Sequence, residues 1–241
     1  YQNPINLVDP DGREATGDFY TKTGKYLGSD GINDNKVYVA DRRNSDGTFA
    51  NSKEIKGTTH TDFATAANVV KHESSGNKSE SLWIAHTANN AKDNNAIDYK
   101  RKNSTLTQQL TDSQYSTTPS SARSPLSTQD ASMGAENARA AVIDVLMGGI
   151  DPTGGAVLWD GTDFLTRGTS HNKFKEFQCI DIDAKSMSNF SSANQRYKVH
   201  PTFNDAISLD ASYSASGRSG RPYSVQSTGA QGRSIFWKII K

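Results

Sequence analysis

The 241-residue sequence has little of three things, and each scarcity excludes a class of protein. It contains a single cysteine, Cys179, so no internal disulfide and no cysteine-based zinc site can form. No apolar run approaches the roughly 18 residues that a transmembrane helix needs, so we expect no membrane insertion. Neither sign of charge dominates, because 27 lysines and arginines stand against 26 aspartates and glutamates. This balance argues against a dedicated nucleic-acid binder.

The chain divides by pattern into four segments. Residues 1–14 are rich in turn formers, and residues 15–60 contain short apolar pieces between glycines, as β-strands do. Residues 61–176 carry apolar side chains at helical spacing, and residues 177–241 alternate apolar and polar pieces again. We therefore predict an α+β fold with a small helical core and β-strands added at the N- and C-termini.

Three helices are predicted in the central segment. The first covers residues 61–75, with Thr61 or Asp62 as its N-cap, and the second covers residues 79–93. The third covers residues 134–147, with Ser132 available as its N-cap. A stretch rich in Ser, Thr and Gln between the second and third helices predicts a long loop with room for one short helix. The strands of the two termini are predicted to form one β-subdomain that covers a side of the helices.

One short segment, HESSGNKSE at residues 72–80, combines groups suited to acid catalysis. Glu73 falls at the predicted end of the first helix, beside a turn rich in Ser and Gly. Cleaving a glycosidic bond requires a proton donor, and a carboxyl partly removed from water has its pKa raised toward that task. The segment begins like a HExxH zinc motif, but Gly76 stands at the fifth position. We therefore expect no metal and no cofactor.

Two blocks of the chain resemble the SleB/CwlJ family of cell-wall hydrolases. In the first block five residues stand at the offsets of the family motif: Glu73, Gly76, Glu80, Ala85 and Asn89. Asn77 departs from the motif, since it replaces the second glutamate. In the second block a predicted helix is followed by the hexapeptide DPTGGA at residues 151–156 and an aromatic strand. The resemblance covers residues 63–159 and implies a lysozyme-like helical core that acts on peptidoglycan.

The resemblance also implies roles for individual residues. Glu73 matches the catalytic glutamate, and Glu80 and Asn89 match supporting positions near it. Ser74 joins them, because the pair Glu-Ser also opens the motif of lytic transglycosylases with a lysozyme fold. A further set is assigned to substrate contacts, by motif position or by a side chain suited to a cleft: Tyr115, Asp151, Thr153, Gly154, Trp159 and His171.

The number of carboxylates bears on the mechanism. Hydrolysis usually employs two carboxylates, whereas a lytic transglycosylase can close a 1,6-anhydro ring with one. With Glu73 as the one strong candidate, the non-hydrolytic route is favoured. Asp151, Asp160 and Glu80 keep a muramidase open as the alternative.

The first segment, YQNPINLVDPDGRE at residues 1–14, resembles the end of the core that precedes the variable domain in RHS-repeat polymorphic toxins. This resemblance implies a secreted antibacterial effector that acts in the periplasm or cell wall of target bacteria. It also implies two protein partners, namely the RHS shell of the parent polypeptide and a cognate immunity protein.

Two other functions compete with peptidoglycan cleavage. Many RHS-linked domains are nucleases, and His171-Asn172-Lys173 offers residues that a nuclease could use, although the near-neutral charge argues against nucleic acid as a partner. The second is a catalytically silent glycan-binding module that uses Trp159, and it predicts that substitution of Glu73 has no effect.

Overall fold

The computed structural model describes residues 17–93, 103–112 and 119–240. Within these ranges the chain has the α+β fold predicted from its sequence, with helices and sheets in both halves. The segment at residues 1–14 and Tyr115 lie outside the described residues, so the predictions made for them stay predictions.

The N-terminal strands form a sheet of their own. They are β1 (Asp18–Tyr20), β2 (Tyr26–Ser29), β3 (Val37–Val39), β4 (Arg42–Arg43), β5 (Phe49–Ala50) and β6 (Lys53–Glu54). The sheet has the order β2-β1-β3-β6, with β1 antiparallel to β2 and parallel to β3, while β4 and β5 form a separate pair. Tyr20, Val37 and Val39 are buried, so this sheet packs its apolar side chains into the interior.

The central helices follow. They are α1 (His60–Glu73), α2 (Lys78–Asp93), α3 (Leu106–Leu110) and α4 (Met133–Leu146), with a 3-10 helix at Ser120–Arg123. The N-cap of α1 is Thr59, whose hydroxyl accepts a hydrogen bond from the Asp62 N–H at 3.0 Å, so the predicted caps Thr61 and Asp62 were wrong. Thr59 has an extended backbone, whereas the two predicted caps already lie inside the helix.

Helices α1, α2 and α4 bury apolar residues at helical spacing, as the sequence pattern predicted. In α1 these include Phe63, Ala66 and Val70, and in α4 they include Ala138 and Val142. The three helices contact one another and the N-terminal sheet around one shared core. This core fixes where each helix ends and therefore where the turn after Glu73 lies.

The C-terminal half has a second sheet and several helices. Its elements are β7 (Leu158–Asp160), α5 (Thr162–Arg167), α6 (Lys173–Glu176), β8 (Cys179–Ile182), α7 (Ala184–Ala193), α8 (Asn204–Ser208), β9 (Tyr213–Ser216), β10 (Ser224–Gln231) and β11 (Ser234–Ile240). The strand order is β7-β11-β10-β8-β9. The prediction that the strands of both termini share one β-subdomain was therefore wrong, because each group forms its own sheet around its own core.

The hairpin of β10 and β11 joins the two halves. Phe236 on β11 belongs to the first core, and its ring lies 5.1 Å from that of Trp83 on α2. Gly229 on β10 passes so close to Trp83 that any side chain there would strike the indole ring. The hairpin therefore runs along α2 and brings its own turn toward the start of that helix.

Candidate functional site

Glu73 is the last residue of α1. It lies two turns after Ala66 on one helix face, and Val70 stands one turn before it, so it continues the buried stripe of the helix. Its side chain is only partly buried, because the chain turns away at Ser74. The structure thus places a carboxyl at the end of an apolar stripe, where the interior meets the surface.

Glu80 lies next to this turn and is fully buried, with 0% exposure. One carboxylate oxygen accepts hydrogen bonds from the Ser75 backbone N–H at 2.8 Å and from the Ser75 hydroxyl. The other accepts from the Arg233 N–H at 2.9 Å and from the Ser234 hydroxyl at 2.8 Å. Burying a carboxylate is costly unless it is well hydrogen-bonded, and four donors offset that cost here. Glu80 thus joins the turn after α1 to the turn between β10 and β11.

The turn after Glu73 is held from two further sides. The Ser74 hydroxyl lies 3.0 Å from the Ser81 hydroxyl on α2. The Asn137 side chain on α4 donates to the Gly76 carbonyl at 2.8 Å. Gly76 has a φ of +82°, which a residue with a side chain rarely adopts. The Ser74 hydroxyl accepts a hydrogen bond from α2, and its predicted role in orienting Glu73 stays a prediction.

Asn89, predicted to support Glu73, lies elsewhere. It lines a small pocket of about 110 Å³ together with Asp62 and Phe63, which belong to the first turn of α1. At roughly 1.5 Å per residue, Phe63 is about 15 Å along α1 from Glu73. The structure thus does not bring Asn89 and Glu73 together.

Its neighbour Asn90 contacts the DPTGGA turn instead. The Asn90 amide donates to the Asp151 carboxylate at 3.0 Å, to the Thr153 hydroxyl at 3.2 Å and to the Ala156 carbonyl at 3.0 Å. Asp151 also accepts from the backbone N–H groups of Thr153 and Gly155. Asn90 is about 15 Å along α2 from Glu80, so this turn lies at the opposite end of α2 from the Glu73 turn.

The Asp151 carboxylate is committed to its own turn. Burial raises its pKa, but hydrogen bonds from Thr153, Asn90 and Gly155 outweigh burial and hold that pKa below its usual value. Thr153 is fully buried, and Gly154 has a φ of +65°, as a tight turn requires. These predicted substrate contacts therefore form a closed structural turn, with Gly154 lying against β10 near Thr228.

The remaining predicted site residues lie on the C-terminal sheet and in the second core. Trp159 on β7 pairs with Phe236 of β11 and packs partly buried against the first core. His171 is buried, with Nε2 2.9 Å from an Asp163 carboxylate oxygen and Nδ1 accepting from the Lys173 N–H at 3.2 Å. Both ring nitrogens are thereby engaged.

Asp160, the other candidate second carboxylate, forms a buried ion pair. Its Oδ2 lies 2.9 Å from the Lys173 ammonium group. That ammonium also lies over the rings of Phe177 and Trp237, at 5.3 and 5.4 Å from their centroids. Removing either partner would leave the other as an unpaired buried charge. Asp160 therefore has a structural role, which is to neutralise Lys173 beside the second core.

Several residues of the site went unpredicted. Asn137, Arg233 and Ser234 contact the Glu73–Glu80 region from elements far away in sequence. Each is an ordinary polar residue in its local pattern, so no sequence signal singled it out. The structure also shows that Gly232 must lack a side chain, because any Cβ there would overlap the Glu80 carboxylate.

A groove of about 530 Å³ lies between α2 and α4 and begins beside the Glu73 turn. Its lining residues are Lys22, Lys78, Leu82, Asn137, Ala140, Ala141, Ile143, Asp144, Met147, Gly148 and Gly149. Asn137, which holds the Gly76 carbonyl, and Lys78, the first residue of α2, form the end of the groove nearest Glu73. The groove therefore offers a surface that begins at the turn after Glu73.

Among the residues that the structure describes, no group of three or more histidine, cysteine, aspartate or glutamate side chains is arranged to hold a metal ion. None of the described helices combines the length and apolar character needed to cross a membrane. Comparison with protein-family models, with curated proteins and with solved structures found no significant match to this chain.

Proposed function

We propose that this chain cleaves the glycan strands of peptidoglycan, with Glu73 as the general acid. One observation carries the proposal: Glu73 is partly buried at the end of the apolar stripe of α1, beside a turn held by α2, α4 and the β10–β11 turn. A carboxyl at such a boundary is shielded from part of the solvent, and a glycan can still reach it.

The other carboxylates favour the one-carboxylate mechanism. Glu80 is saturated by four donors, Asp151 is bound within its own turn and Asp160 is paired with Lys173. Any of these three would have to give up its bonds before it could act as the nucleophile of a muramidase or activate a water. The bonds that hold these three carboxylates therefore support a lytic transglycosylase.

The proposed reaction needs no water. Glu73 donates its proton to the glycosidic oxygen, and the bond between that oxygen and C1 of the N-acetylmuramoyl residue breaks. The resulting Glu73 carboxylate then accepts the proton of the C6 hydroxyl of the same sugar, while the C6 oxygen bonds to C1. Glu73 ends protonated as it began, and the product carries a 1,6-anhydro ring.

The setting of the reaction is also a proposal. The resemblance of residues 1–14 to the end of an RHS core supports a secreted toxin domain that acts in the periplasm or cell wall of other bacteria. A producing cell would then need an immunity protein against it.

The test is digestion of purified sacculi from several bacteria by the wild-type protein and by the Glu73→Gln variant. Glu176 is an exposed glutamate at the end of another helix, so Glu176→Gln is the matched control. We expect the wild type and the control to release muropeptides ending in 1,6-anhydro-muramic acid, and the Glu73 variant to release none.

Mass spectrometry separates the outcomes. Products heavier by one water would make the protein a muramidase and require a second carboxylate. Equal release by the Glu73 variant would remove Glu73 from catalysis. Binding without release would indicate a glycan-binding module, and degradation of DNA or RNA with intact sacculi would indicate a nuclease.

A further inference from the structure

The groove between α2 and α4 contains a carboxylate, that of Asp144, which neighbouring residues hold in place. Asp144 on α4 keeps 43% of its side chain exposed, yet its Oδ2 lies 2.8 Å from Nε2 of His86, which is only 3% exposed. A Cβ at Gly149 would overlap the Asp144 carboxylate, so the chain leaves room for that group. A carboxylate that only keeps the surface soluble would need neither a buried histidine partner nor a glycine beside it.

The rest of the groove surrounds this carboxylate with complementary groups. Lys78 and Leu82 lie one turn apart on α2, and His86 follows on the next turn behind Asp144. On the other side, Lys22 stands in a loop that Arg139 fixes to α4 through a hydrogen bond to the Gly24 carbonyl at 3.1 Å. The groove thus combines two cations, one carboxylate and an apolar floor.

The groove also has a direction. Asn137 and Asp144 lie on the same face of α4, two turns and about 10 Å apart. Asn137 contacts the turn that follows Glu73, so the groove leads from that turn toward Asp144. A span of this length matches about two sugar rings.

We propose that this groove binds the glycan strand next to the bond cut at Glu73, an inference that rests on the proposed function. Asp144 accepts hydrogen bonds from sugar hydroxyl groups, and Leu82 packs against the apolar face of a ring. Lys78 and Lys22 attract the carboxylates that muramic acid carries on its lactyl group or stem peptide. Chitin oligosaccharides offer the same hydroxyls but no carboxylate.

That chemical difference gives the test. Binding is measured by calorimetry on the Glu73→Gln protein, which is not expected to consume its ligand, with amidase-released peptidoglycan glycan strands and with chitohexaose. Asp144→Asn should weaken both ligands about tenfold, because it removes a charged acceptor. Lys78→Gln should weaken the peptidoglycan strands several-fold and leave chitohexaose unchanged.

Matched controls lie outside the groove. Asp205→Asn and Lys56→Gln change exposed residues of the same types and should leave both affinities unchanged. Thermal melting of each variant shows whether it is folded. Lys78 is exposed at the start of α2, so its variant tests the groove even if Asp144→Asn proves unstable.

The outcomes separate this inference from the proposed function. If the wild type cleaves sacculi but the Asp144 and Lys78 variants bind like their parent, the groove is not the glycan site and Glu73 keeps its role. If the predicted binding pattern appears without cleavage by the wild type, the groove inference stands and the catalytic proposal fails. If the protein neither binds nor cleaves, both are wrong.

Discussion

The two ends of α1 are each tied to a different sheet by a buried polar network, and the chemistry of the two networks differs. At the first end, His60 lies between Asp18 and Tyr20, with its Nδ1 3.2 Å from the carboxylate and its Nε2 2.8 Å from the hydroxyl. At the other end, the Glu80 carboxylate receives backbone N–H and serine hydroxyl groups. The first network contains an imidazole, whose pKa burial lowers below its ordinary value, whereas the donors of the second are backbone N–H and serine hydroxyl groups.

The two networks also hold different parts of the molecule. The His60 network joins the helix to β1, and Tyr26 adds a hydrogen bond to Asp18 at 2.7 Å. The Glu80 network joins the turn beside Glu73 to the turn between β10 and β11. The turn beside Glu73 is therefore held by donors whose charge does not change near neutral pH.

The largest expected effect comes from removing Glu80. Glu80→Ala leaves four donors of the two turns without their acceptor, and we expect the free energy of unfolding to fall by about 3 kcal/mol or more. Urea denaturation measures the change, and Glu176→Ala, at an exposed helix end, should change it little. A loss as small as that of the control would mean that Glu80 does not hold the two turns together.

A smaller loss is expected at the other end of α1. Asp18→Ala removes the acceptor of His60 and of the Tyr26 hydroxyl, and we expect a loss of about 2 kcal/mol in the same assay. Sacculus digestion provides the contrast, because this end lies about 20 Å along α1 from Glu73. If folded Asp18→Ala lost cleavage as completely as Glu73→Gln, the two ends would not have separate roles.

The smallest effect is a pH dependence. Burial lowers the pKa of His60 below its ordinary value of 6.5, against the opposing attraction of Asp18. The unfolded chain then binds the proton more readily than the folded one, so stability should fall as the pH drops below 6.5. The test is to measure the melting temperatures of the wild type and of His60→Gln from about pH 7.5 down to about pH 5.5. A slope unchanged in the variant would assign the effect to other groups.

The sequence predicted the three longest helices and missed α7, because residues 177–241 were expected to form strands. Helices α1, α2 and α4 carry apolar residues at steps of three and four over 14 or more residues, and Ser132 was correctly identified as the cap of α4. Helices such as α6 and α8 escaped prediction because they have only 4 and 5 residues, too few for a periodic pattern to emerge.

The candidate site was predictable only in part. Glu73 could be located from its place at a helix end, because that depends on local sequence. The burial of Glu80 could not, since two of its donors come from Arg233 and Ser234, far along the chain. The choice between Asn89 and Asn90 depends on helix phase, where one residue turns a side chain by about 100°.

The bonds from Arg233 and Ser234 to Glu80 also concern the order of events during synthesis. A chain that has folded α1 and α2 but has not yet paired β11 with β10 lacks half of the donors of that buried carboxylate. The turn beside Glu73 can therefore reach its final form only after residues 233 and 234 have been made. The first half of the molecule holds the candidate acid, and the last strand completes its assembly.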